Sequence, residues 1–154
     1  MPLNEDGSWE CKKTYDGYEY GVVAVSGGFD PIHVGHVQMI LDAGRGGSEV
    51  LIIANSDEWL MRKKGYVFMP FEERAEILRA IKGVAHVSHV DDSDGTVCEA
   101  LRRLKPREFA NGGDRKSDNV PEVQVCKELG IYMRWNVGGG KVQSSSELVK
   151  NSRS

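Results

Sequence analysis

The stretch from Val22 to Ala43 leaves this chain few ways to fold. Val22-Val23-Ala24-Val25 is a short, unbroken apolar run of the kind that crosses a sheet covered on both faces. It ends in Gly27-Gly28, turns through Phe29-Asp30-Pro31, and enters Val37-Gln38-Met39-Ile40-Leu41-Asp42-Ala43, where apolar positions recur at helical spacing. Paired glycines at such a turn let main chain approach a ligand closely. The helix start adds unpaired N–H groups and the positive end of the dipole, which together attract anions. His33 and His36 lie three positions apart at that start, so they share one face and point at one ligand.

The same alternation continues downstream. Val50-Leu51-Ile52-Ile53-Ala54 reads as a second buried strand, and Phe71, Ala75, Leu78 and Ile81 mark one face of a helix over 71–81. Arg62-Lys63-Lys64 falls in the strand-to-helix connection between them. Val84 to Val90 alternates as a strand, with Val84, His86, Ser88 and Val90 on one face and Ala85, Val87 and His89 on the other. Val97 to Leu104 reads as a helix stopped before Pro106, followed by a short strand, Glu108-Phe109-Ala110. Pro121 to Leu129 has proline in its first turn and Gly130 just past its end, the asymmetry expected of a helix. Ile131 to Trp135 is the last strand and Ser144 to Lys150 a last short helix. Strands separated by helices need crossover connections, so the expected class is α/β, with a mostly parallel five-stranded sheet and helices on both faces. Ligands of such sheets bind beyond the carboxyl ends of the strands, where Gly27 to His36 and the loops after Ala54 and Ala110 lie. Residues 1–21 read as an N-terminal extension, a hairpin about Asp16-Gly17 or a tail, ahead of a domain over 22–154.

Bulk properties narrow the partners. A chain of 154 residues is long enough for one hydrophobic core, and its net charge of −3 does not suit a nucleic-acid binder. Cys11, Cys98 and Cys126 are odd in number and lack C-x-x-C spacing, which argues against a disulfide framework or a structural zinc site. Cys98 and Cys126 sit in helical patterns as small core residues. No apolar run reaches the length of a membrane span, and no signal-like segment stands at the start. The expectation is a soluble cytoplasmic protein with reduced thiols, no metal held by the chain, and neither nucleic acid nor membrane as partner.

Two further glycine-rich segments follow strands or precede hydroxyls. Asn111-Gly112-Gly113-Asp114-Arg115 lets main chain approach a ligand, and Asp114 can cap a helix or accept from a base or ribose. Gly138-Gly139-Gly140-Lys141 leads into Ser144-Ser145-Ser146, a capped helix start and second anion-binding end.

Gly27, Phe29, Asp30, His33, Gly35 and His36 resemble the G-x-F-D-x-x-H-x-G-H signature of the nucleotidyltransferase (cytidylyltransferase-like) superfamily, with Gly28 where relatives often carry Thr or Cys. The order Asn55-Ser56-Asp57, Lys64-Gly65, Gly112-Gly113-Asp114 and Ser144 to Ser146 is similar to that of heptose-1-phosphate adenylyltransferases, with glycerol-3-phosphate and phosphoethanolamine cytidylyltransferases second. The resemblance covers about Val22 to Lys150 and implies a Rossmann-like, doubly wound fold. It also implies nucleotidyl transfer from an NTP (ATP or CTP) to a small phosphorylated sugar or alcohol, with release of pyrophosphate. By that resemblance His33, His36, Lys63 and Lys64 are catalytic. Gly27, Gly28, Phe29, Asp30, Gly35, Asp114, Arg115 and Ser144 to Ser146 bind nucleotide, and Arg62 and Arg74 reach substrate, with a structural pairing to neighbouring acids as the alternative for Arg74. Mg²⁺ rides on the triphosphate, and a homodimer or higher assembly is expected. A non-catalytic nucleotide-binding regulator is the competing class, disfavoured by the intact histidines, lysines and serines. A dinucleotide-dependent oxidoreductase is disfavoured because G-x-G-x-x-G does not follow the first strand.

Overall fold

A computed structural model describes residues 22–111, 120–135, 137 and 138. Its elements run β1 (Val22–Gly27), α1 (Val34–Ala43), β2 (Glu49–Ala54), α2 (Asp57–Lys64), α3 (Phe71–Arg79), β3 (Val84–Ser88), α4 (Cys98–Leu104), β4 (Glu108–Ala110), α5 (Val120–Leu129) and β5 (Tyr132–Arg134). The five strands form one sheet in the order β3-β2-β1-β4-β5, and every pairing is parallel. This is the α/β architecture expected from the alternation and the Rossmann-like fold that the resemblance implies. The N-terminal segment 1–21, the Gly112 to Arg115 turn, Lys141 and the Ser144 to Lys150 helix lie outside the described residues.

The central strands are buried on both faces, which explains their unbroken apolar runs. Val22 and Ala24 of β1, with Leu51 and Ile53 of β2, pack against Leu101 and Leu104 of α4 and Val125 and Cys126 of α5. Their neighbours Val23, Val25, Ile52 and Ala54 pack the opposite way, against Ile40 of α1 and Ala75 and Leu78 of α3. Burying each such Val, Leu or Ile contributes about 1.5–3 kcal/mol. Cys98 and Cys126 are buried free thiols in the first layer, as their helical positions imply. Burial pushes the Cys126 thiol up to about 12, with Cys98 and Glu122 adding to it.

Two elements differ from expectation. The Arg62 to Lys64 segment is not a connection but the last turn of α2. Ser56 caps this helix by accepting from the Trp59 N–H at 3.0 Å, Asp57 and Glu58 occupy its first turn, and Gly65 ends it in the left-handed region at φ 83°. Leu60 is its single buried residue, so it carries no apolar stripe for periodicity to detect. In β3 the register shifts between Val50 and Leu51, whose partners are Val84 and His86. The extra residue, Ala85, lets Val84 and Val87 join the same layer although simple alternation assigns them to opposite faces.

The strand order reverses beside β1, with β2 on one side and β4 on the other. The carboxyl ends of β1 and β4 therefore flank the crevice where such sheets take ligands, and Gly27 and Asn111 stand at its rim.

Candidate functional site

At the end of β1 the chain turns through Phe29, held at φ 53°, into the N-terminus of α1. His33 is the N-cap, and its Nδ1 accepts from the Gly35 N–H at 3.1 Å. The His36 Nδ1 accepts from the His33 N–H at 3.2 Å, closing a reciprocal capping box built from two imidazoles. The rings stack with centroids 3.8 Å apart and 23° between planes, and Phe29 meets His36 edge-on at 4.9 Å. The two histidines do share one face. A ring nitrogen that accepts carries no proton, so each imidazole keeps its proton on Nε2, which becomes its donor. This corrects the simpler picture of open main-chain donors at the helix start. The Gly35 N–H is engaged by the His33 ring.

Asp30 faces the protein. It is 1 % exposed, and its two carboxylate oxygens accept from the Phe68 N–H at 2.8 Å and the Met69 N–H at 2.6 Å. The Lys64 ammonium donates to the Asp30 main-chain carbonyl, lies 3.8 Å from Oδ2 and sits 5.0 Å from the Tyr66 ring. Burial draws the Lys64 pKa below its ordinary value, Asp30 opposes that shift, and Arg74 and Lys63 reinforce it. Lys63 is exposed, its ammonium 4.6 Å over the Trp59 ring. The two lysines, equivalent in sequence, are therefore distinct: Lys64 is tied to the signature turn and Lys63 is not.

Arg74, expected at substrate, lies behind the site. It is 0 % exposed and donates to the carbonyls of Met69 (2.9 Å), Gly28 (2.7 Å) and Asn55 (2.8 Å) and to the Asp57 carboxylate (2.7 Å). The guanidinium thus ties the glycine turn to the start of α2, a positioning role. Arg62 donates to the Asp92 main-chain carbonyl at 2.7 Å. Phe29 is 2 % exposed and supports His36. Gly27 pairs with Ala54, and its carbonyl accepts from the Asn55 N–H. A side chain at Gly28 would meet Leu60 Cδ2 at 3.0 Å and Trp59 at 3.5 Å, so α2 fills the space a Thr or Cys would occupy.

Asn55 and Ser56, quoted in the motif order without a role, bond to Asp92, which motif reading did not place near the site. The Asp92 carboxylate, 3 % exposed, accepts from Asn55 Nδ2 (3.0 Å), the Ser56 N–H (2.9 Å) and Ser56 Oγ (2.6 Å). The available signal was an acid a few residues past the carboxyl end of β3, the edge strand beside β2. Beyond β5 the chain returns to α1. Val137 is buried against this layer, and the Gly138 N–H donates to Asp42 Oδ2 at 2.8 Å. A Cβ at Gly138 would lie 2.9 Å from Met39 Cα, so only glycine fits there at φ 86°. Asp114, Arg115 and Ser144 to Ser146 lie outside the described residues.

The described arrangement brings the stacked imidazole pair and, through Asp30, the Lys64 ammonium to the turn that follows β1, cationic and N–H groups of the kind that suit a phosphate. Residues 24–146 match the cytidylyltransferase-like family pattern. The chain belongs to the cytidylyltransferase-like family. Relatives include the bifunctional protein HldE of Streptomyces coelicolor, 35 % identical over 115 residues, covering 73 % of this chain and 24 % of HldE. The FAD synthase of Pyrococcus abyssi is 37 % identical over 110 residues, covering 71 % of this chain and 74 % of the synthase. This chain thus spans a minor part of HldE and most of the FAD synthase. The crystal structure of a lipopolysaccharide core biosynthesis protein from Thermoplasma volcanium superimposes with a TM-score of 0.60 at 22 % identity, covering 74 % of this chain and 92 % of that one, which shows a shared fold. The family is one of nucleotidyltransferases, and no helix among the described residues is long and apolar enough to cross a membrane.

Proposed function

We propose that this chain transfers a nucleotidyl group from an NTP to a small phosphorylated acceptor, releasing pyrophosphate. The observation that carries the reading is the stacked His33–His36 pair, capped so that each ring donates from Nε2, at the strand-order reversal of a cytidylyltransferase-like fold. ATP is the favoured donor, because the FAD synthase relative is named for a product that contains an adenylyl group. A phosphorylated sugar is the favoured acceptor, on the sequence resemblance to heptose-1-phosphate adenylyltransferases.

An acceptor phosphate oxygen attacks the α-phosphorus. The new P–O bond forms as the bond to the bridging β-oxygen breaks, and pyrophosphate leaves. The attacking oxygen is already anionic, so no strong general base is required. Catalysis then rests on alignment and on stabilising charge at the α-phosphoryl and bridging oxygens. The Nε2–H groups of His33 and His36 supply that stabilisation, with His36 the more sensitive because Phe29 and the cap fix its ring. Lys64 reaches the phosphates by leaving Asp30, and Lys63 adds a second, looser cation. Ser144 to Ser146 are proposed to hold the β,γ end, and Asp114 and Arg115 to contact the nucleoside. Magnesium arrives with the triphosphate, as the MgNTP substrate. Among the described residues no group of His, Cys, Asp or Glu is arranged to hold a metal, and both Asp30 oxygens are engaged by N–H donors.

The test is pyrophosphate release from ATP, CTP, GTP and UTP against a panel of phosphorylated sugars, alcohols and FMN. Turnover with ATP and one phosphorylated acceptor supports the reading. Tight binding of an NTP with no turnover on any acceptor would replace it with the nucleotide-binding regulator.

A further inference from the structure

The loop after β3 carries an acid that the phosphate site does not use. Asp92 is 3 % exposed, and its carboxylate is matched by two N–H donors and one O–H donor, all from Asn55 and Ser56. Its main-chain carbonyl accepts from Arg62, one turn and a half further along α2. A single residue therefore holds α2 at its N-cap and near its far end. The far end has one more tether, the Lys64 ammonium on Asp30. That tether is lost whenever Lys64 turns toward a phosphate.

We propose that Asp92 is a positioning residue for nucleotidyl transfer: through Asn55, Ser56 and Arg62 it holds α2 in place while Lys64 exchanges Asp30 for a phosphate oxygen. The inference rests on the nucleotidyl-transfer reading above. It also gives Arg62 a role in holding the helix, in place of the substrate contact expected from sequence. Asp92→Ala removes the carboxylate that Asn55 and Ser56 share and leaves their three donors unmatched, so it breaks the node outright. Arg62→Met removes only the outer bond, from an exposed side chain that leaves the core intact.

The experiment has two arms. In the first, nucleotide-free protein is treated with a small amine-acylating ester, and modification of Lys64 is followed by mass spectrometry against the exposed Lys127 on α5. Both variants should acylate Lys64 several-fold faster than the parent chain, with Lys127 unchanged; equal Lys64 rates would overturn the proposal. In the second, the variants should raise the NTP KM about tenfold while kcat changes less, and Arg62→Met should have no further effect in a Lys64→Ala background. A merely structural role would instead lower the active fraction, leave KM unchanged, and add to Lys64→Ala. Should the parent chain release no pyrophosphate, the transfer reading fails, and the acylation arm still decides whether Asp92 holds the lysine end of α2.

Discussion

The corner where β1 meets α1 and the corner where β2 meets α2 face the same crevice but are held together differently. At the first, the defining bonds are local: His33 and His36 bond to main chain two and three residues away. At the second they are long-range, joining Arg74 to Asn55 across 19 positions and Asp92 to Ser56 across 36. The local histidine cap leaves the Nε2 side of its rings for chemistry, although the turn before it is tied to the rest of the fold through Asp30 and Gly28. A corner bonded at long range exists only once the sheet has formed, and its buried charges serve chiefly to hold it. Substitutions in the first should therefore affect activity more than stability, and those in the second should do the reverse.

The sharpest break of this contrast is at His36. His36→Ala should lower the transfer rate by about 100-fold or more, the scale of losing a donor to developing charge. The accompanying loss of the cap should cost only about 1 kcal/mol in a denaturant titration. A fully active His36→Ala chain would remove the imidazole pair from the mechanism.

The next largest effect inverts that pattern. Arg74→Leu strands the carbonyls of Gly28, Asn55 and Met69 and leaves Asp57 without its cation, so unfolding should become easier by about 3–5 kcal/mol. A stability change under about 1 kcal/mol, paired with a large rise in acceptor KM, would restore the substrate contact first expected of Arg74.

How much of this contrast was legible in sequence follows from the bonding. The strand-glycine-helix corner, the two histidines on one face and the parallel sheet were all readable, because their signals lie within a few adjacent residues or repeat along the chain. Helix α2 was missed although Ser56, the acids after it and Gly65 mark its ends, since one buried residue, Leu60, makes no periodic stripe. The roles of Asp30 and Asp92 were hidden because a carboxylate has the same identity whether it meets a ligand or a distant N–H, whereas for Arg74 the pairing with a neighbouring acid, Asp57, was one of two readings the sequence offered. The bulge at Ala85 escaped for a similar reason, as an inserted residue shows only against its partner strand.

A comparison of the adjacent lysines refines the picture at smaller scale. Lys64→Ala should raise the NTP KM about tenfold, the loss of one well-placed cation, whereas Lys63→Ala should change it less than about threefold, as for an exposed charge. Equal effects would mean that the Asp30 tether does not single out Lys64.

The smallest effect comes from outside both corners. Burial, with Arg79 and Arg103 adding to it, holds the β3 imidazole of His86 below its ordinary value of 6.5. The folded chain keeps this ring neutral while the unfolded chain takes up a proton, so stability is full above the ordinary value and declines as pH falls below it. His86→Gln should flatten that part of the stability profile without changing the transfer rate at neutral pH. An unchanged acid profile would show that His86 is not its source.

The central claim, attack on the α-phosphorus at the His33–His36 corner, is tested most directly by the fate of label from an NTP carrying radioactive α-phosphorus. With the parent chain and an active phosphorylated acceptor, all transferred label should appear in the nucleotidyl–acceptor product and none in pyrophosphate, and His36→Ala should suppress its appearance. Transfer of the γ-phosphoryl group instead, with the α-label left in nucleoside diphosphate, would contradict the account.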